Sequence, residues 1–280
     1  MIIETLRARQ SFLEIAKLDE DAFPLDRASL IMALEEFPDL DIQAYLRRLD
    51  ILAARADVLI GLDRAAVNVI ESINEILFVQ EGLRGNSDDY YDPRNSYINE
   101  VLDRRLGTPI SLSVIYMEAA KRIGFLIEGI GFPGHFLVKH PAKDRDIIID
   151  PFNLGRILTP NDCQELLDKT CNGAATMHAA LLQPMEKRAI LTRMLYNLKG
   201  VYTQKEQYHK ALSVIDRILM LNPGTPTEVR DRGLLHMQTS RFAEALVDLE
   251  SYLAHTTAPE DRTNIKSYIK LLRSIVCSTN

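Results

Sequence analysis

The sequence predicts an α+β protein that is mostly helical. A buried helix packs on a small antiparallel sheet, and a C-terminal array of helical hairpins follows. Three observations carry this. Residues 109–122 are apolar on nearly every side, with Ile110, Leu112, Val114, Ile115, Met117, Ala119 and Ala120; a helix of that kind is enclosed by protein. Three short strand-like segments come next, 125–131, 135–140 and 146–150, joined by Pro133-Gly134 and by Pro141-Ala142-Lys143-Asp144. Segments joined so tightly form a meander that can back such a helix. Finally, Tyr208-His209-Lys210-Ala211-Leu212 returns 34 residues later as Phe242-Ala243-Glu244-Ala245-Leu246, a period that stacked helix pairs produce.

Taken in order, residues 1–84 form an N-terminal helical part of the core. Apolar residues recur at helical spacing in Leu30, Ile31, Leu34 and Phe37, in Tyr45, Leu46, Leu49 and Leu52, and in Val67, Ile70, Ile73 and Leu77. Three or four helices are expected, with Asp26 and Asp63 as N-caps. Residues 82–96 are rich in Gly, Asn, Asp and Ser and carry Tyr90 and Tyr91, so they read as a loop that packs on something. A short helix near 97–106 ends at Gly107. Thr108-Pro109 opens the buried helix as N-cap and first-turn proline, and Gly124 stops it. Thr159-Pro160 opens another helix to about Lys169. The core is read as 85–185 and the repeat domain as 186–280, closed by a helix at about 260–276.

The 280 residues carry a net charge of -6. A mildly acidic chain lacks the basic stripe that nucleic-acid binding requires. No apolar run is long enough to span a bilayer, and the N-terminus has no signal-peptide layout, so a cytoplasmic location is expected. Three cysteines, Cys163, Cys171 and Cys277, do not make a disulfide framework. No metal or cofactor motif is present. His135 and His140 are five apart on an expected strand and face opposite sides.

The residues that could carry chemistry are His135 and Asp150. A base on one strand and a carboxylate on the next are the helpers of a nucleophilic triad. The nucleophile would come from the start of the buried helix, where free N–H groups stabilise an anion. Serines stand there, Ser111 and Ser113. Asn99, or Asn95, is an amide donor for an oxyanion. Each residue also has an ordinary role open to it. His135 after Pro-Gly can orient a turn, Asp150 before Pro151 can cap one, and serines in a first helical turn are common end residues. Cys163 comes after Asp150 and would need a permuted order.

The order nucleophile, His, Asp resembles the transglutaminase-like superfamily, related to papain-like cysteine proteases. Residues 89–113 (DYYDPRNSYINEVLDRRLGTPISLS), 129–138 (GIGFPGHFLV), 149–152 (IDPF) and 193–199 (RMLYNLK) look like the bacterial SirB-type regulator family. That family joins such a core to tetratricopeptide repeats. In the first repeat Leu198, Tyr202, Ala211 and Pro223 fit that consensus, while Lys199 sits where a small residue is usual. In the second, Gly233 and Ala245 fit, while His236 and Thr257 do not. The resemblance implies His135 as base and Asp150 as its orienter, with the superfamily cysteine falling near Ser111, Ser113 being the alternate. A serine is far less ionised than a thiol and depends more on its base and oxyanion donors. Two functions follow as expectations. One is a non-enzymatic regulator or scaffold that binds a protein or peptide partner through its repeats. The alternative is an amide hydrolase or acyltransferase with a Ser-His-Asp triad.

Overall fold

The computed structural model describes residues 2–256 and 261–279. It divides into two compact units, residues 1–194 and 195–280. The first therefore holds both the N-terminal helices and the sheet.

The first unit begins with α1 (Ile2–Ala16), α2 (Leu25–Ile31), α3 (Ile42–Ile60) and α4 (Ala66–Asn74). Asp41 caps α3, its side chain accepting the Ala44 N–H at 3.0 Å. The two caps expected from sequence take other roles. α2 starts after Pro24, which has no side-chain cap, and Asp26 in its first turn pairs with Arg122 at 2.7 Å. Asp63 accepts the Ala65 N–H at 2.9 Å, so it shapes the turn before α4 without capping it. After α4 the helix widens into a π-helical turn, Glu75–Gln80, whose Ile76, Leu77 and Phe78 are buried.

The loop expected at 82–96 contains a two-residue strand. β1 (Arg84–Gly85) pairs in parallel with β2 (Leu106–Gly107), which follows α5 (Ile98–Arg104). A Cβ on Gly85 would stand 2.5 Å from the Phe152 ring, so only glycine lets that ring close onto the strand.

α6 (Pro109–Arg122) is the buried helix, with Ile110 to Tyr116 enclosed without a break. It lies against β3 (Glu128–Ile130) and β4 (Leu137–His140). With β5 (Ile147–Asp150) and β6 (Arg156–Leu158) these make an antiparallel meander in the order β3-β4-β5-β6. The strands are shorter than the sequence suggested, and His135 itself lies in the turn before β4. β6 was not expected. On one face of the sheet Ile130, Leu137 and Ile148 cluster with Cys163 and Leu167 of α7 (Pro160–Cys171). Alternate positions Val138 and Ile149 are also buried, so the sheet is covered on both sides.

The unit boundary falls within α8 (Lys187–Gln204). The second unit continues with α9 (Tyr208–Leu221), α10 (Pro226–Gln238), α11 (Phe242–His255) and α12 (Arg262–Thr279). Thr257, and the expected start of the last helix at 260, lie outside the described residues. Gly233 lets α10 and α11 touch, since a Cβ there would meet Leu249 at 2.8 Å. Ala245, Leu249 and Tyr252 pack on Ile265, Ile269 and Leu272 of α12. Lys199 departs from the small-residue pattern for a visible reason. Its ammonium donates to both Glu228 oxygens at 2.9 and 2.8 Å and to Asp231 at 2.8 Å, so polar contacts stand in for close packing.

Candidate functional site

The site is built by the turn before β4. Gly134 has a φ of 65° and sits so close to α7 that a Cβ would meet Thr170 at 2.7 Å. Both the left-handed backbone and the close approach select glycine. The turn closes with the His135 N–H on the Phe132 carbonyl at 3.1 Å. From α8, Arg193 Nη2 donates to the Phe132 carbonyl at 2.9 Å and to the His135 carbonyl at 2.5 Å. Its guanidinium lies 5.4 Å over the Phe136 ring. Burial lowers the Arg193 pKa, while its neighbour Tyr90 acts weakly the other way.

This turn carries His135 to Asp150 at the end of β5. His135 Nε2 and Asp150 Oδ1 are 3.0 Å apart, and both residues are buried. Asp150 also accepts the N–H groups of Phe152 at 3.0 Å and Asn153 at 3.3 Å, and Asn153 Nδ2 at 2.7 Å. Burial pushes its carboxyl up, but His135 and then Asn153 outweigh that and hold it below the usual carboxylate range. A carboxylate accepts only, so Nε2 must be the protonated nitrogen. In a neutral ring the basic nitrogen is then Nδ1, and it makes no hydrogen bond to the described residues. The ring meets Phe152 edge-on at 5.8 Å. Tyr90 meets Phe152 edge-on at 6.3 Å and Tyr91 at 5.4 Å, so the loop packs on Phe152 while both tyrosines stay exposed. Asp150 also begins the 3-10 turn Pro151–Asn153 as its N-cap, so it holds a turn as well as an imidazole.

The serines do not join this pair. Ser111 Oγ donates to the Asn95 carbonyl at 2.7 Å and accepts the Thr108 N–H at 2.9 Å. Thr108 Oγ1 accepts the Ser111 N–H at 3.3 Å, which completes a capping box. The helix start thus uses the hydroxyl and amide expected for catalysis to satisfy itself. Ser113 Oγ is buried with no hydrogen-bond partner. Neither hydroxyl bonds His135. Asn99 is buried with its Oδ1 unpartnered. Asn95 Nδ2 is committed to the carbonyls of Asp89 at 2.7 Å and Tyr90 at 3.3 Å, and Asn86 donates to its Oδ1 at 3.0 Å. It ties the aromatic loop to the start of α6. Cys163 lies in the apolar cluster under the sheet, where burial pushes its thiol up. His140 stacks on Phe125 and bonds the Leu126 carbonyl at 2.9 Å. Among the described residues no three His, Cys, Asp or Glu side chains are grouped to hold a metal. No described helix is long and apolar enough to cross a membrane.

Sequence reasoning missed Arg193 and Phe152 as parts of this site. Both fell inside motif stretches, 193–199 and 149–152, and that was the only signal for them.

Comparison with known proteins gives the same division of the chain. A family model described as the transglutaminase-like superfamily matches residues 43–196. A tetratricopeptide-repeat model matches residues 198–270. A UPF0162 protein of Xylella fastidiosa (strain Temecula1) is 42% identical over 253 residues, which are 85% of this chain and 86% of that protein. A UPF0162 protein of Vibrio cholerae is 28% identical over 244 residues, 87% of this chain and 90% of that one. Mouse F-box only protein 21 is 35% identical over 166 residues, covering 55% of this chain and 26% of its own length.

Proposed function

The chain belongs to the transglutaminase-like superfamily, and on that premise we propose that it acts in the cytoplasm as a non-enzymatic regulator or scaffold of the SirB type. It binds a protein or peptide partner through its tetratricopeptide repeats. The observation that carries this reading is the capping box at Ser111. The hydroxyl nearest the superfamily's nucleophile position already gives its proton to the Asn95 carbonyl at 2.7 Å. A serine nucleophile must instead hand that proton to a base. The repeat unit supports the other half of the reading, since helical-repeat surfaces bind protein segments. Tyr196 on α8 and Tyr268 on α12 are exposed aromatic anchors of a kind that dominate interfaces.

The test has two arms. A fluorophosphonate probe on the full chain is expected to label no serine in a His135-dependent manner. Labelling of Ser111 or Ser113 that is lost in His135→Ala overturns the reading. Partners captured from a bacterial lysate by the full chain are expected to survive His135→Ala and to be lost from a Tyr196→Ala/Tyr268→Ala variant. Retention by the second variant counts against binding through the repeats.

The second reading, an amide hydrolase or acyltransferase, is favoured by one observation. The His135–Asp150 pair stands assembled with Nδ1 open. It requires a nucleophile to reach Nδ1, and the labelling arm reports on that.

A further inference from the structure

Beside the buried helix α6 lies a pocket with one carboxylate in an apolar wall. Its volume of about 320 Å³ is at the lower end of the range for small-molecule sites. Leu25 of α2, Met117 of α6, and Phe125, Leu126 and Ile127 of the segment leading to β3 form the walls. The carboxylate is Glu118, a residue only 3% exposed.

Glu118 shares one guanidinium with two other carboxylates. Arg122 Nη2 donates to Asp26 at 2.7 Å, Nε to Asp50 at 2.7 Å, and Nη1 to the Glu118 carbonyl and to Glu118 Oε2, both at 2.9 Å. Every nitrogen of Arg122 is therefore engaged. Lys121 is the second cation, 3.6 Å from the same Oε2, with a side chain 59% exposed. Both cations reach Glu118 through Oε2, and Oε1 accepts no hydrogen bond from the described residues. Burial, and then Asp26, push this carboxyl up in spite of Lys121 and Arg122. A buried carboxylate oxygen without a donor is costly. A ligand that brings the donor removes that cost.

We propose that this pocket binds a small organic amine, with its ammonium on Glu118 Oε1 and its apolar stem against Met117, Phe125 and Ile127. Charge selects an amine over an acid. The cluster sets three carboxylates against two cations, so an ammonium balances it and a further anion adds to the excess. Lys187 also lines the pocket, but its ammonium donates to the carbonyls of Glu20 at 2.8 Å and Asp21 at 3.3 Å and offers an anion little. The volume selects a short stem, since it holds roughly ten water-sized atoms. A single ring or a short chain fills it.

The test is calorimetric titration of the full chain at neutral pH with phenethylamine and with 3-phenylpropionate, an acid of similar shape. The amine is expected to bind with a Kd of about 1 mM or tighter, and the acid at least about tenfold more weakly. Glu118→Gln keeps the shape and an acceptor for Arg122. It should weaken the amine by about tenfold or more, as loss of a charge-assisted bond does. Lys121→Gln changes an exposed side chain, so the fold should stay intact by circular dichroism. It removes the competing cation and should tighten the amine a few-fold. No binding of phenethylamine at about 10 mM overturns the proposal, as does an acid that binds equally well. Amine binding indifferent to Glu118→Gln also overturns it. Should Glu118→Gln fail to fold, Lys121→Gln decides, and unchanged affinity there overturns the site.

Discussion

Replacing Asp150 with Ala tests how the His135 turn is held. The carboxylate is 2% exposed. It accepts from His135 at 3.0 Å, from the Phe152 and Asn153 amides at 3.0 and 3.3 Å and from Asn153 Nδ2 at 2.7 Å. Hydrogen bonds to a charged group contribute about 1.5–3 kcal/mol each, but they do not add simply and the buried charge is itself costly. Removing one partner of such a buried cluster costs about 3–5 kcal/mol, because donors are left without water or acceptor. For a unit of this size that corresponds to a melting temperature lower by roughly 6–20 °C. The assay is calorimetry of the full chain at neutral pH, with Asp150→Asn as the milder variant that keeps an acceptor for the two amides. The pH dependence has a definite sign. The folded carboxyl lies below its ordinary range. Its contribution is therefore complete above an unfolded pKa of about 4 and is lost as pH falls through the lower folded value. The gap between wild type and Asp150→Ala should close in acid. A loss under about 0.5 kcal/mol at neutral pH, within the range of ordinary surface substitutions, or a gap that stays constant into acid, refutes the reasoning.

Two further outcomes follow from local geometry. Ser111→Ala should cost about 1–2 kcal/mol in urea unfolding through the lost cap, and an unchanged stability would remove the capping role. Gly233→Ala places a methyl 2.8 Å from Leu249 and should destabilise the 195–280 unit by about 1–3 kcal/mol, read as a selective loss of hydrogen-exchange protection in α10 and α11.

The buried helix was legible because its composition has no polar face, and burial alone explains that. The sheet was legible in three strands of four. β6 was not, since Arg156 and Ile157 are exposed and Leu158 only partly buried, which leaves no alternation to read. Its pairing is imposed by the turn that Asp150 begins, with Gly155 N–H on the Asp150 carbonyl at 2.9 Å. The π-helical turn was hidden for a different reason: Ile76, Leu77 and Phe78 continue the apolar run of α4, and periodicity does not distinguish a widened turn from a regular one. β1 and β2 are two residues each and pair at long range. At the site, the spacing of His135 and Asp150 across one hairpin was readable. The clamp from Arg193 was not, because it reaches the turn from α8, 58 residues along the chain.

The first turn of α6 can serve as a cap or as a nucleophile's seat, and the same atoms cannot do both. Pro109 has no N–H to offer, and the Ser111 N–H is taken by Thr108. The Ser111 hydroxyl bridges the Thr108 amide and the Asn95 carbonyl, and Asn95 in turn pins the loop that brings Tyr90 over Phe152. Freeing that hydroxyl for chemistry would break its bond to the Asn95 carbonyl, one of the ties between this loop and the start of α6. The His135–Asp150 pair has no such conflict. Asp150 Oδ1 accepts the Phe152 and Asn153 amides as well as the imidazole, and Oδ2 accepts Asn153 Nδ2. The pair therefore has a role in stability that does not depend on turnover.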